Sequence, residues 1–205
     1  MPEQTPETPT RSEDAQVLPL LALTTGVVFP NMVVTLALET DDAKRAATAA
    51  QDGDGLVLLV PRVAQRYARV GTVARIESSG ELPGGPPALV LRGLHRAVVG
   101  VGIPGTGDGL WVEIDRVPDP EPTERGHELA REYRAVVSAI AEHIGAVRLT
   151  EALRGVSDPG ALADTAGWWP DLDLERKLEL LETTDVEARL ERVVAWAREA
   201  LGEME

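Results

Sequence analysis

The chain has 205 residues, 43% of them hydrophobic and 3% aromatic, with no cysteine. That length holds one domain or two small ones around an aliphatic core, and it excludes disulfides, thiolate metal sites and a cysteine nucleophile, which fits a cytoplasmic protein. Against 20 Lys and Arg stand 34 Asp and Glu, a net charge of −14 that repels a phosphate backbone and an anionic bilayer, so neither nucleic acid nor a membrane is expected as partner.

Residues 1–16, "MPEQTPETPTRSEDAQ", have no basic patch followed by an apolar run and therefore are not a secretory leader. Rich in Pro, Thr and Glu, they are expected to form a disordered tail. No stretch reaches the ~18 uncharged apolar residues of a membrane span.

From Val17 to Pro118 the pattern is short apolar runs broken by Gly and Pro: "VLPLLAL", "MVVTLALE", "GLVLLV", "GTVARIES", "PALVLRGL", "RAVVGVG" and "LWVEIDRV". Turn-bounded lengths of four to eight and β-branched content predict strands. In the last run Leu110, Val112, Ile114 and Arg116 share one face. One helix interrupts the series, over about 41–52, with an Asp cap, an Ala-rich body and a stop at Gly53. "PDPEPTE" follows, and its prolines Pro118, Pro120 and Pro122 mark a domain boundary.

Beyond it, over 123–205, the period becomes helical. Leu129, Tyr133, Val136, Val137, Ile140 and Ile144 make one stripe. In "SDPGALADTAG", Ser157 or Asp158 caps a helix, Pro159 opens it and Gly167 ends it. A short helix is expected from about Asp173 to Glu182, and Thr184 with Glu187 reads as a capping box for a last helix. The fold class expected is α+β, a mostly-β module followed by a small helical bundle.

The chemistry-bearing motifs are weak. Gly102 and Gly107 have the spacing of a phosphate loop, but Asp108 and Gly109 stand where Lys and Ser or Thr are required, and the continuation alternates like a strand. A glycine-rich turn between two strands is the better reading. His95, His127 and His143 lack a partner at metal-ligand spacing, and the serines have no elbow or dyad context. By elimination the chain reads as a binding or assembly module without metal, cofactor or catalytic residues.

Four stretches resemble one family, the N-terminal domain of bacterial Lon proteases. "LPLLALTTGVVFPNMVVTLAL" resembles its opening strand, loop and second strand, "VGTVARI" a further strand, and "LVLRGLHRAVV" its strand–Gly–x–x–Arg–strand element. "SDPGALADTAG" and "LERKLELLETTDVEARLERVV" resemble its helical part, through Lys177, Leu180, Leu181, Glu182, Thr184, Asp185, Ala188, Arg189 and Leu190. The likeness covers about Val17 to Leu201. It implies a PUA-like β module (17–118) joined to a helical bundle (123–205). In the full enzyme these precede an AAA+ ATPase, which uses ATP and magnesium, and a Ser-Lys protease, in a homohexamer.

The domain so implied captures unfolded or damaged proteins and helps to order the hexamer. The chain carries no phosphate loop or Ser-Lys pair, so by itself it is expected neither to hydrolyse ATP nor to cut peptides. Both an excised N-terminal fragment and a free-standing Lon-domain protein for a peptide, small ligand or RNA are open readings.

Capture of unfolded chains calls for exposed apolar side chains on turns. "VVFPNM" supplies Phe29, Pro30 and Met32, and the tip of "ESSGELPGGPPA" supplies Leu82; these four are expected to share a patch. "GWWPD" adds Trp168 and Trp169. For each turn a second reading stands: Phe29 and Met32 plug the end of the β core, and one tryptophan packs between the bundle and the β module.

Overall fold

The computed structural model describes residues 16–104, 106–107 and 109–204, with the backbone alone at 147–149. The expected tail, 1–16, lies outside these residues except for Gln16, which begins the first strand.

Seven strands and the first helix come first: β1 (Gln16–Leu23), β2 (Val33–Ala37), α1 (Asp41–Asp52), β3 (Leu56–Val63), β4 (Arg66–Tyr67), β5 (Val70–Glu81), β6 (Pro87–Gly102) and β7 (Trp111–Val117). Then come α2 (Glu124–His143), α3 (Val147–Arg154), α4 (Pro159–Asp164), a 3₁₀ turn (Thr165–Trp168), α5 (Leu174–Glu182) and α6 (Val186–Met204). The fold is α+β.

Five strands close on themselves. β1 runs antiparallel to β7, β7 to β6, β6 to β5 and β5 to β3, and β3 returns parallel to β1 with Leu20 opposite Leu58. β2 extends the first half of β6, with Thr35 opposite Val90. "PALVLRGL" and "RAVVGVG", expected as two strands, are one strand of 16 residues, which a register shift opposite Val73 and Ala74 bends without breaking.

Closure explains why "VLPLLAL" and "GLVLLV" read as unbroken apolar runs. A strand covered on both faces has no polar side to alternate with. Leu18, Leu20, Leu58, Val60, Val73, Ala97, Val112 and Ile114 fill the inside of the barrel. The alternate residues Leu21, Leu23, Val57 and Leu59 face outward into a second cluster. That cluster continues through Ala46, Ala47 and Ala50 of α1 into Leu129, Tyr133, Leu162, Leu180, Leu190 and Val193 of the helices. The apolar contact between the halves is therefore unbroken, although the proline segment separates them in sequence.

Local chemistry accounts for the element ends, not always through the residue expected. α1 is capped by Thr40, whose hydroxyl accepts from Ala43 N–H at 3.1 Å, rather than by an aspartate. α4 is capped by Asp158 with Pro159 in its first turn. The cap of α6 is Asp185, which accepts from Ala188 N–H at 2.8 Å. Glu187 instead accepts from the hydroxyl of Thr123, the residue that caps α2, and so ties the starts of α2 and α6 together. The helix α3 was not anticipated. The glycine-rich segment after Gly102 leads into β7, a strand, so the helix N-terminus that a phosphate loop requires does not follow it.

The junction between halves is polar at its centre. Arg96 of β6 is wholly buried and holds the Asp164 carboxylate with both terminal nitrogens, at 2.7 and 2.8 Å. Its remaining donors reach the carbonyls of Leu181 (3.0 Å) and Leu180 (3.3 Å) in the last turn of α5. Those carbonyls have no partner within their own helix, and α5 carries no basic residue in its last turn, so a strand residue supplies the cation that the helix end lacks. Arg189 of α6 approaches Asp164 from another side at 3.3 Å and pairs with Asp119 of the proline segment.

Candidate functional site

Phe29 and Met32 are part of the core and not of a surface patch. Phe29 is 0% exposed and Met32 is buried. Pro30 sits at the second position and Asn31, with φ of 66°, at the third position of a turn closed by Met32 N–H donating to the Phe29 carbonyl at 3.2 Å. That turn folds the Phe29 ring inward, where Gly167 packs against the ring and Gly93 against the Phe29 main chain. A Cβ at Gly167 would overlap the edge of the Phe29 ring and lie 2.6 Å from Met32 Cε, and one at Gly93 would strike the Phe29 carbonyl. The Arg96 guanidinium stands 5.7 Å from the ring centroid. Gly167 thus serves close packing within the 3₁₀ turn, where a helix stop was expected. Pro30 is half-buried beside Phe29, and Leu82, 36% exposed, stands alone at the tip of the β5–β6 hairpin.

The two tryptophans separate as adjacent residues on an irregular segment do. Trp168 is 59% exposed. Trp169 is half-buried and stacks on Tyr133, with ring centroids 6.0 Å apart and planes 20° from parallel. Burial pushes the Tyr133 phenol well above its usual pKa; the nearby Asp164 carboxylate adds to this and the Thr165 hydroxyl opposes it.

Trp169 also lines an apolar depression in the helical half. Pro170 cannot continue the 3₁₀ turn, and Trp169 is already extended at ψ 121°. The segment Trp169–Asp173 therefore lies against the C-terminal parts of α2 and α6, leaving a groove of about 480 Å³. Val137 and Ile140 of α2, Ile144 just past its end, and Trp196, Ala200 and Met204 of α6 give it an aliphatic and aromatic floor. Ile144, the last residue of the predicted α2 stripe, is 58% exposed there. Asp171, Asp173, Glu199, Glu203 and Arg176 form its rim. Arg176 lies 5.7 Å over the Trp196 ring and donates to Glu199 at 2.8 Å, while Asp173 caps α5 through the Arg176 N–H.

Of the residues expected in the site, only Trp169 lines this groove. Val137, Ile140 and Ile144 were legible as members of one helical stripe but not as members of a site, and Trp196 and Met204 stand outside the stripes read from the sequence. Among the described residues no group of three or more His, Asp or Glu side chains is placed to hold a metal ion. An open apolar trough with a charged rim can hold an extended chain by contact; it carries no nucleophile–base pair.

The family model for the ATP-dependent protease La (LON) substrate-binding domain matches residues 17–198. The chain belongs to the Lon substrate-binding domain family. It is 43% identical over 188 residues to the Lon protease of Salinispora arenicola, covering 92% of this chain and 24% of that protein. It is 41% identical over 194 residues to the Lon protease of Mycolicibacterium smegmatis, covering 94% of this chain and 25% of that protein. The chain thus spans about a quarter of the length of the curated relatives it matches. A solved structure of the N terminal domain of Mycobacterium avium complex Lon protease superposes with a TM-score of 0.83 at 38% identity, over 89% of this chain and 98% of that one.

The stretches that carried the resemblance meet in space. Gly93 and Arg96 of the Gly–x–x–Arg element, Asp164 and Gly167 of "SDPGALADTAG" and Arg189 of the last helix all converge on Phe29 and the buried ion pair. These five residues of the Lon domain therefore meet at the joint between halves, and none of them lines the groove. No helix among the described residues is long and apolar enough to cross a membrane.

Proposed function

We propose that this Lon substrate-binding domain captures unfolded or damaged polypeptide segments in the groove between α2, α6 and the Trp169–Asp173 segment. The observation that supports it is the groove itself: an apolar floor left uncovered beside Ile144, on a domain whose family is defined by substrate binding. Contacts with aliphatic and aromatic side chains hold a guest without reading its sequence, as recognition of damage requires. Each buried apolar side chain contributes about 1.5–3 kcal/mol at most, so a single domain binds weakly. In a cytoplasmic homohexamer, six copies convert weak capture into avidity. On this reading ATP and magnesium, and peptide-bond cleavage, are assigned to segments other than the one matched here, as the resemblance implies.

The test is an NMR titration or crosslinking experiment with a permanently denatured model protein. Shifts and crosslinks are expected at Val137–Ile144, Trp169–Asp173 and Trp196–Met204. A response confined to the Leu82 hairpin, or to the barrel, would overturn this placement.

A further inference from the structure

The rim of the groove carries four carboxylates, Asp171, Asp173, Glu199 and Glu203, and one guanidinium, Arg176. That guanidinium is already engaged by Glu199 and by the Trp196 ring. A bound chain therefore meets an apolar floor edged by unneutralised negative charge, on a protein of net charge −14. From this charge balance we infer that the groove selects polypeptide segments whose large apolar side chains are flanked by lysine or arginine. The inference rests on the capture reading above and adds a substrate class to it.

Arg176 shows how such a guest side chain is held. A guanidinium lies between an indole face and a carboxylate, which combines a cation–π contact with a charge-assisted hydrogen bond. Asp171 and Glu203 lie on the same rim and are exposed, so they can meet a second cation without first giving up a buried partner. Beside an apolar surface that excludes water, their attraction for a guest cation is screened less than in open solvent. A segment with acidic flanks meets the same rim as repulsion, so the groove discriminates by charge as well as by apolar content.

The experiment uses three short extended peptides with one Leu- and Phe-containing core, flanked by Lys and Arg, by Ser, or by Glu. Binding to the 205-residue chain is followed by tryptophan fluorescence at low salt and at about 0.3 M salt. The basic-flanked peptide is expected to bind about tenfold more tightly than the Ser-flanked one at low salt, and the Glu-flanked one more weakly than either. High salt should bring the three together. The double variant Asp171→Asn/Glu203→Gln should lose most of the charge preference, bringing the basic-flanked and Glu-flanked peptides close to one another in affinity.

Equal affinities at low salt, or an unchanged ranking in the double variant, would overturn the charge preference and leave capture in the groove standing. If none of the peptides perturbs the groove, capture itself fails and the preference with it. A concentration-dependent dimer that Ile144→Ser abolishes and the peptides cannot displace would assign the groove to a second copy, and would also overturn the inference.

Discussion

Arg96 on β6 and Asp164 at the end of α4 are 68 residues apart in sequence and form a two-pronged ion pair at 2.7 and 2.8 Å, shielded from water. Among the described residues Asp164 is the only carboxylate paired with Arg96, and it also faces Arg189, so one acid balances two buried guanidinium groups with help from Asp119. Asp164→Asn is expected to lower stability by about 3–5 kcal/mol, because a charge is removed and its buried partners are left behind. Arg96→Met should cost less, since Asp164 keeps Arg189. Urea unfolding midpoints at constant m-value measure both. A loss under about 1 kcal/mol for Asp164→Asn would mean that the joint tolerates opening.

Gly167 owes its place to Phe29. A methyl group there would overlap the Phe29 ring and Met32. Gly167→Ala is expected to destabilise by about 1–3 kcal/mol through overpacking. Phe29→Leu should cost less in the Gly167→Ala background than alone, because the smaller side chain makes room. Strictly additive effects in thermal or urea melts would show that the two residues do not compete for one space.

Ile144 and Phe29 should behave oppositely. Phe29→Ser empties a fully buried site and is expected to cost at least about 3–5 kcal/mol. Ile144→Ser, at a position 58% exposed, should stay within about 0.5 kcal/mol of wild type while weakening capture of denatured protein several-fold. Leu82→Ser serves as the control and should change neither. If Leu82→Ser abolished binding and Ile144→Ser left it intact, the hairpin and not the groove would hold substrate.

Tyr133 makes the fold sensitive to alkali. Its phenol is held neutral by burial, so its folded pKa lies above the unfolded value near 10. The stability this contributes is complete below about pH 10 and declines above it, because the unfolded chain releases a proton that the folded one retains. The expected slope is about 1.4 kcal/mol per pH unit. Tyr133→Phe should remove that share of the slope, so the two stability curves converge as pH rises. Parallel curves between pH 10 and 12 would show that the phenol ionises freely in the folded state.

Much of the fold was legible because its signals are local. The bounds of α1 and α5, the turn at Pro30–Asn31 and the strand after the glycine-rich segment follow from period, caps and backbone preference within a few residues. The caps of α1 and α6 were misassigned by one or two residues, since several neighbouring side chains are chemically able to cap and only the backbone angle selects one. The single long β6 was read as two strands because its bend interrupts the alternation without ending the hydrogen bonding.

The sequence by itself determined the family, the change from strand to helix after the proline segment, and the absence of the Lys and Ser or Thr that a phosphate loop needs after Gly107. Only the tertiary structure decided which apolar turn is core and which is surface. "VVFPNM" and "GWWPD" look alike along the chain, each with large apolar residues beside a proline. The first is covered by the backbone at Gly93 and Gly167, which come from β6 and the 3₁₀ turn; the second lies along an open groove. Burial depends on which distant segments arrive at a place, and neither period nor propensity carries that information.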